Sequence, residues 1–283
     1  MEDKMKDPKV LYILISLFCI FAIVAAIYAQ FIDEDYGGLP VVDADSQNVI
    51  QEKSQEELEE TFNSLFINTI NLGGFDTTGI QKINNGQNIV YTIYEMNENT
   101  ENYEINMHIP VININSELAN LLNQRTQADF VNKANDIIQA EDTGVKSLYN
   151  IDYTAYINNN ILSLVIRSTL KEGSSAQRVI VQTYNYNLET NTQVSLVDLV
   201  TMKRLNTDEV NSKIKDVVTK ANEEAETFQQ MGYNEIFIRD LTSDIYNVSN
   251  AGTYFLGPNG ELYIIYAYGN NQFTTEMDII LIE

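Results

Sequence analysis

Hydrophobic residues are most concentrated between Val10 and Ile32, VLYILISLFCIFAIVAAIYAQFI, a stretch with no charged side chain. A helix rises about 1.5 Å per residue, so a run of this length can cross a hydrocarbon core of roughly 30 Å. Residues 10–32 are therefore predicted to form a transmembrane anchor. A cleaved secretory signal is the alternative, because Val24, Ala25 and Ala26 offer small residues to a peptidase, but such signals have apolar cores of about 7 to 15 residues.

The charges on either side of the anchor predict its orientation. Lysines precede it and acidic residues follow it directly: Lys4, Lys6 and Lys9, then Asp33, Glu34 and Asp35. By the positive-inside rule, residues 1–9 form a cytoplasmic tail and the rest of the chain is extracytoplasmic. Residues 33–53 are acidic, contain Gly37, Gly38 and Pro40, and show no apolar period, which predicts a flexible stalk.

The apolar pattern of residues 54–145 predicts two helices and a strand pair. Ser54 and Glu57 have the spacing of a capping box, which predicts a short helix with Leu58 and Phe62 on its apolar face. After a polar loop, residues 89–96 and 103–109 alternate between apolar and polar side chains. This alternation is typical of two paired strands.

A longer helix is predicted after Pro110, which is expected to close the second strand. It begins at about Glu117 with Ser116 as its N-cap, and it ends near Gly144. Apolar side chains at mostly three- and four-residue steps predict its core-facing stripe. The members of this stripe are Leu118, Leu121, Leu122, Ala128, Val131, Ala134 and Ile138.

Residues 146–283 have the pattern of a larger sheet with one long helix. Alternating runs predict antiparallel strands. They lie at residues 146–157, 161–170, 178–188, 252–256, 261–268 and 273–282. Between them, Asn206 or Thr207 caps a helix that ends at Gly232. Its predicted stripe is Val210, Ile214, Val217, Ala221, Ala225 and Phe228.

Both halves thus place strands beside a long amphipathic helix, which predicts an α+β protein. The expected architecture is a set of antiparallel sheets, each packed against such a helix, preceded by one transmembrane helix. The predicted domain boundary lies between residues 54–145 and residues 146–283.

Charge and cysteine content narrow the classes of function. The formal net charge is −23, and because residues 1–9 are charge-neutral, all of it belongs to the exported part. Phosphate groups would be repelled, which argues against nucleic acid and anionic lipid. The charge leaves room for a cationic partner or metal ions, although solubility is the more common reason for excess carboxylate. The only cysteine, Cys19, lies in the anchor, so we expect neither disulfides nor thiol chemistry outside the membrane.

Two runs in the second half are similar to a known domain. YNYNLETNTQVSLVDLV at residues 184–200 and FLGPNGELYIIYAYGNN at residues 255–271 resemble the RsiV-like extracytoplasmic domain. That domain occurs in lysozyme-sensing anti-sigma factors and beside the deacetylase domain of PdaC-type peptidoglycan deacetylases. IPVININSELANLLNQ at residues 109–124 resembles its usual N-terminal companion domain. The resemblance implies a bacterial module that binds or senses a ligand in the cell envelope.

The chain departs from this family in two respects. The loop at residues 171–178 reads KEGSSAQR, where the family often has paired glycines and a histidine. Residues 1–9 are too few to hold a sigma factor, and no deacetylase domain is expected after Glu283. Neither known role of the family is therefore expected to carry over directly.

Few side chains are candidates for catalysis or metal binding. His108 is the only histidine and lacks a nucleophile or ligand partner at a known spacing, so a structural role is predicted. Asp240 and Asp244 flank a loop and are interpreted as turn residues rather than an acid/base pair. The stalk carboxylates lack the spacing of an EF-hand loop: Asp33, Glu34, Asp35, Asp43 and Asp45. No catalytic, cofactor-binding or metal-binding residue is predicted.

Tyrosines on predicted strands are the remaining candidates for recognition. They are Tyr149, Tyr153, Tyr156, Tyr184, Tyr186, Tyr263, Tyr266 and Tyr268. Strands favour tyrosine for packing, so most are predicted to lie in the core, and any that point outward would form a recognition surface.

These features together predict a non-catalytic, single-pass binding or sensing module of the bacterial cell membrane. The expected partner is a cationic, lysozyme-like envelope protein or peptidoglycan. A peptidoglycan-modifying enzyme or its accessory subunit is the alternative, with His108, Asp240 or Asp244 as reactive groups. A structural subunit of an envelope complex is a third hypothesis.

Overall fold

A computed structural model describes residues 53–140 and 144–283. The predicted tail (1–9), the anchor (10–32) and all of the stalk except Lys53 lie outside the described residues, so these assignments remain predictions. Within the two described ranges, no helix has both the length and the apolar character needed to cross a membrane.

Local sequence signals explain where the helices begin. The Ser54 hydroxyl accepts a hydrogen bond from the N–H of Glu57, whose carboxylate accepts one from the N–H of Ser54, which is the predicted capping box. Ser195 and Asp198 form a second capping box, at the start of a helix that was not predicted. The helices are α1 (Gln55–Asn63), α2 (Glu117–Thr126), α3 (Asn132–Gln139), α4 (Leu196–Met202) and α5 (Thr207–Gln230). A π-helical turn, Gln127–Val131, joins α2 to α3.

The strands of the described ranges form two sheets. They are β1 (Thr69–Asn71), β2 (Val90–Asn99), β3 (Tyr103–Ile112), β4 (Ser147–Asn158), β5 (Ile161–Lys171), β6 (Arg178–Asn187), β7 (Thr192–Gln193), β8 (Tyr254–Leu256), β9 (Leu262–Ala267) and β10 (Met277–Ile282). The seven-stranded sheet has the order β2-β3-β4-β5-β6-β7, with β1 also paired to β4. The three-stranded sheet has the order β10-β9-β8 and contains the last three of the predicted strands.

Alternating side chains place the two sheets face to face. On β9, Leu262 and Ile264 pack with residues of α5, whereas Tyr263 and Ile265 pack with residues of the seven-stranded sheet. The other face of the larger sheet packs against α2, the π-helical turn and α3, around Phe130. The layers therefore follow the order helix, seven-stranded sheet, three-stranded sheet, helix, and every residue of β9 is buried.

The α+β class and the predominance of antiparallel pairing agree with the prediction. Two parallel pairings were not predicted: β3 with β4, starting at Tyr103 opposite Ser147, and β1 with β4. Strands from residues 54–145 and from residues 146–283 therefore share one sheet and one hydrophobic core. The division of the chain into two domains at that position stays a prediction.

The predicted apolar stripes of the long helices are correct only in part. The π-helical turn widens the helix locally, so the stripe changes phase. Its buried members are Ala119, Leu122, Thr126, Phe130, Ala134 and Ile137. Leu121 and Ala128 were predicted to face the core and are exposed. Phe228 of α5 was also predicted to face the core and is 50% exposed.

β3 continues through Pro110 to Ile112, although Pro110 was predicted to end it. Proline has no N–H group and is tolerated where a strand needs no hydrogen bond on that side. β4 pairs with β3 only as far as Met107, and further along the same strand it pairs with β1. Pro110 therefore interrupts no ladder on the β4 side.

Amide side chains form hydrogen bonds with the backbone at open strand edges. The Asn270 side chain donates to the carbonyl of Val181 at 3.0 Å and accepts from its N–H at 2.9 Å. Gln55 binds both backbone groups of Ile279 on β10 in the same way. Each amide takes the place of one residue of a neighbouring strand, so that a backbone N–H and a carbonyl group at the strand edge have hydrogen-bond partners.

Candidate functional site

The long segment between α5 and β8, residues 231–253, contains no helix or strand. Structureless connections longer than ~12–15 residues are uncommon in compact domains, and many of them are functional. This one is tied to regular structure: Tyr266 donates to the carbonyl of Ile245 at 3.1 Å, and the N–H of Val248 donates to Asn211 Oδ1 at 2.9 Å. We call residues 231–253 the connecting segment.

Arg239 attaches the middle of the connecting segment to the three-stranded sheet. Its Nε and Nη2 donate to the two carboxylate oxygens of Asp278 at 2.7 and 2.6 Å, a bidentate pair. Its Nη1 donates to the carbonyl of Ala221, and its backbone N–H donates to Asn222 Oδ1, both in α5. Arg239 is 7% exposed and Asp278 1%. The pair therefore joins the segment, the sheet and α5 at a position that is shielded from solvent.

Two tyrosine hydroxyls extend this pair. Tyr268 donates to Asp278 Oδ2 at 2.5 Å, and the hydroxyls of Tyr246 and Tyr268 lie 3.0 Å apart. Tyr246 belongs to the connecting segment, and its ring meets Tyr266 edge-on at 5.0 Å. We call Arg239, Asp278, Tyr268 and Tyr246 the buried network.

Burial and charge shift the pKa values of the buried network. Burial alone would lower the pKa of Arg239, but the hydrogen bonds and the negative charge of Asp278 outweigh it, so that pKa is raised. Burial raises the pKa of the Tyr268 hydroxyl, and the charge of Asp278 raises it further. A general acid or base works best when its pKa lies near the operating pH. Arg239 and Tyr268 are therefore suited to holding structure rather than to moving protons at neutral pH.

A cavity of about 330 Å³ lies beside the buried network, between α5 and the connecting segment. Val218 and Leu241 form the apolar part of its wall. Its polar lining residues are Lys215, Thr219, Thr242, Ser243, Asp244, Tyr246 and Asn247. Small-molecule sites have volumes of roughly 300–1,000 Å³, so the size suits a small ligand, and the polar lining and the exposed side chains of Lys215 and Asp244 suit a charged one.

The end of α5 and the connecting segment also expose large apolar side chains. Phe228 is 50% exposed, Met231 68% and Tyr233 61%. The rings of Phe228 and Tyr233 meet edge-on at 5.9 Å. Further along the segment, Leu241 and Ile245 are exposed by 45% and 42%. We call Phe228, Met231, Tyr233, Leu241 and Ile245 the exposed apolar set.

His108 lies away from the connecting segment, on the seven-stranded sheet. Its Nδ1 is 3.4 Å from Asp152 Oδ1, and its Nε2 is 3.7 Å from Glu95 Oε1. Arg167 Nη2 lies 3.6 Å from Asp152 Oδ2. Strand register explains why these four side chains are neighbours, because Glu95 is opposite His108 and Asp152 is opposite Arg167. We call Glu95, His108, Asp152 and Arg167 the sheet-face network.

The three side chains considered for an enzyme do not form one site. His108 contacts neither Asp240 nor Asp244. Asp240 Oδ1 accepts hydrogen bonds from the N–H and the hydroxyl of Thr242, and these bonds lower the pKa of Asp240. Asp240 thus has the geometry of a turn residue, whereas Asp244 lines the cavity.

The strand tyrosines do not supply a recognition surface. All are at most 9% exposed: Tyr149, Tyr153, Tyr156, Tyr184, Tyr186, Tyr263, Tyr266 and Tyr268. Their prediction as core residues is confirmed, and the side chain of Tyr233, outside every predicted strand, is exposed instead.

In the part of the chain that the structure describes, no group of three or more His, Cys, Asp and Glu side chains is arranged to hold a metal ion. The stalk carboxylates lie outside the described residues: Asp33, Glu34, Asp35, Asp43 and Asp45.

Two solved structures that are similar to this chain are DUF3298 family proteins. One is a DUF3298 family protein from Pseudomonas aeruginosa PAO1, with 14% identity and a TM-score of 0.37 over 65% of this chain and 83% of that one. Another is a member of the same family from Bacteroides fragilis NCTC 9343, with 15% identity and a TM-score of 0.35 over 69% of this chain and 88% of that one. No protein-family model and no curated protein sequence matches the chain.

Proposed function

We propose that this protein is a membrane-anchored, extracytoplasmic binding module of the bacterial cell envelope, without catalytic activity, and that it binds a cationic, lysozyme-like envelope protein. The exposed apolar set carries the proposal. Exposed large apolar side chains mark sites of protein interaction, and aromatic residues such as the contacting pair Phe228 and Tyr233 supply much of the energy at such sites. The anchor predicted at residues 10–32 would hold this surface outside the cell.

The charge around the exposed apolar set supports a cationic partner. Exposed carboxylates flank it on α5 and on the connecting segment: Glu223, Glu224, Glu226, Glu235, Asp240 and Asp244. The net charge of the whole chain is −23. Opposite charge steers a partner toward the surface and orients it, while buried apolar side chains supply most of the affinity. The resemblance of residues 184–200 and 255–271 to the RsiV-like domain favours the same class of partner.

A binding measurement on the full-length chain in a non-ionic detergent tests this proposal. We expect a C-type lysozyme, used as the cationic probe, to bind, and the double substitution Phe228→Ser/Tyr233→Ser to weaken binding at least about 30-fold. Truncation of a hot-spot aromatic residue costs ~2 kcal/mol or more, which corresponds to about that factor in Kd. The substitution Ile83→Ser is the matched control, because Ile83 is 57% exposed in the loop before β2.

Cytochrome c, a cationic protein of a different shape, separates specific binding from attraction by charge. Equal binding of both cationic proteins, abolished together by 0.3 M salt, would contradict the proposal. So would an unchanged Kd for the Phe228→Ser/Tyr233→Ser protein.

A further inference from the structure

Lys215 is the cation in the wall of the cavity, and its position on α5 leaves it without a carboxylate neighbour. Helix positions three and four residues apart are adjacent on the helix surface. For Lys215 these positions hold Asn211, Ser212, Val218 and Thr219, whereas Lys220 of the same helix has Asp216, Glu223 and Glu224 at the corresponding positions. No carboxylate of the described residues lies within 4.0 Å of the Lys215 ammonium group. In a chain with 40 acidic and 17 basic residues, this lack of a partner leaves its charge available to a ligand.

Asp244 supplies a negative charge from the opposite element of the cavity wall. Its backbone carbonyl accepts hydrogen bonds from the side chains of Asn247 and Asn250, which hold the turn. Its carboxylate is exposed and takes part in no ion pair of the described ranges. The fold therefore fixes the backbone at Asp244 and leaves its charged group open to the cavity.

Neutral groups complete the lining. The hydroxyls of Ser243 and Thr219 offer a donor and an acceptor each, and Val218 and Leu241 form an apolar wall. Tyr246 is a buried member of the lining, and its hydroxyl is hydrogen-bonded to that of Tyr268 in the buried network. A site with one cation, one anion, several hydroxyls and an apolar wall matches a small molecule that has complementary groups in the corresponding positions.

We propose that this cavity binds a small zwitterion of the α-amino acid class. Lys215 pairs with the carboxylate of the ligand, Asp244 pairs with its ammonium group, and the apolar wall of Val218 and Leu241 receives its side chain. An inorganic anion would satisfy Lys215 but would be repelled by Asp244, and a neutral sugar would leave both charges without a partner. The proposal does not depend on the binding of a cationic protein.

The experiment uses the full-length chain and the twenty common α-amino acids, screened at up to 10 mM by thermal unfolding. The amino acid that raises Tm most is then compared with its N-acetyl and carboxamide derivatives by calorimetry. Each derivative lacks one of the two charges, so we expect both to bind at least about tenfold more weakly than the zwitterion.

Two substitutions assign the charges to residues. Lys215→Gln is expected to abolish the preference for the free acid over its carboxamide, and Asp244→Asn is expected to abolish the preference for the free amine over its N-acetyl form. Lys220→Gln and Asp216→Asn are the matched controls, because both residues are exposed on α5 and do not line the cavity. We expect both controls to keep the two preferences.

Three results would overturn the proposal. They are the absence of binding by all twenty amino acids at 10 mM, equal binding of the zwitterion and its derivatives, and loss of the preferences in the control variants. Binding of lysozyme by the Lys215→Gln protein, measured in parallel, is expected to be unchanged, which keeps this test separate from that of the proposed function.

Discussion

The buried network and the sheet-face network use the same chemical groups in different surroundings. Each pairs an arginine with an aspartate and places an aromatic ring near the guanidinium: Tyr268 at 5.5 Å from Arg239, and Phe66 at 4.4 Å from Arg167. Arg239 reaches Asp278 with two hydrogen bonds of 2.6 and 2.7 Å, whereas Arg167 approaches Asp152 only to 3.6 Å. The side chains of the second pair are 21% and 27% exposed. Geometry and access of water thus distinguish the two pairs.

The pKa values of the two arginines shift in opposite directions. Burial lowers the pKa of Arg167, and the charge of Asp152 offsets only part of that effect. For Arg239 the bonds to Asp278 outweigh burial and the pKa rises. A bidentate pair in a site of low dielectric gains more from its partner than a distant, partly hydrated pair does. The buried network can therefore hold an irregular segment against the sheet, which the sheet-face network is not suited to do.

Asp278→Asn should have the largest effect on stability. The substitution leaves the buried Arg239 charge without its anionic partner, and breaking a buried ion pair in this way costs ~3–5 kcal/mol. Chemical denaturation of the full-length chain measures the loss, and hydrogen exchange should show faster opening of residues 231–253. Glu276→Gln is the control, because Glu276 lies 4.0 Å from Arg239 and its side chain is 49% exposed. Equal losses for the two variants would show that the bidentate geometry is not what stabilises the segment.

Alkaline pH should have the next largest effect on stability, through buried tyrosines that include Tyr268 of the buried network. Burial raises the pKa of Tyr263 and of Tyr184 to about 12, and it raises that of Tyr268 in the network. A hydroxyl whose folded pKa exceeds the unfolded value of about 10 contributes stability that is fully present below pH ~10 and is lost as pH rises through the folded pKa. A pKa of about 12 thus corresponds to roughly 2–3 kcal/mol lost between pH 10 and 12 for each tyrosine.

The free energy of unfolding as a function of pH, followed together with tyrosinate absorbance, measures this loss. Tyr268→Phe removes one raised pKa, so its stability should fall less steeply above pH 10 than that of the unaltered protein. The sheet-face network contains no tyrosine, so Asp152→Asn should leave the alkaline slope unchanged. Identical slopes for Tyr268→Phe and the unaltered protein would mean that Tyr268 does not resist ionisation in the folded state.

Local features of the fold could be predicted from the sequence, whereas contacts between distant residues could not. Alternation correctly predicted the strand at residues 161–170, whose Leu162, Leu164 and Ile166 lie in the core, because a period of two is a local signal. Capping residues located the start of α1 for the same reason. The pairing of β3 with β4 could not be predicted, because parallel register depends on contacts between residues about forty positions apart.

The candidate site was harder to predict than the fold. The sequence singled out Asp240 and Asp244, but the side chain that attaches their segment to the sheet is Arg239. The residues around Arg239 follow no periodic pattern, so no local signal marks it. Its partner Asp278 is an acidic residue in the apolar run MDIILI, and a charge inside a predicted core strand is a signal of a buried pair. Phe228 was misplaced because it continues the helical period of the stripe, yet its ring packs against Tyr233 and is half exposed.

Asp152→Asn should have the smallest effect on stability. The pair with Arg167 is partly hydrated and 3.6 Å long, and pairs of this kind contribute ~0–1 kcal/mol. Arg167 also keeps two other partners after the change, since it donates to Asn63 Oδ1 and lies over the ring of Phe66. Denaturation at 0.05 and 0.5 M salt measures the effect, which should shrink at high salt because solvent-exposed charges are screened. A loss above ~2 kcal/mol that persists in 0.5 M salt would place Asp152 in the same energetic class as Asp278 and remove the distinction between the two networks.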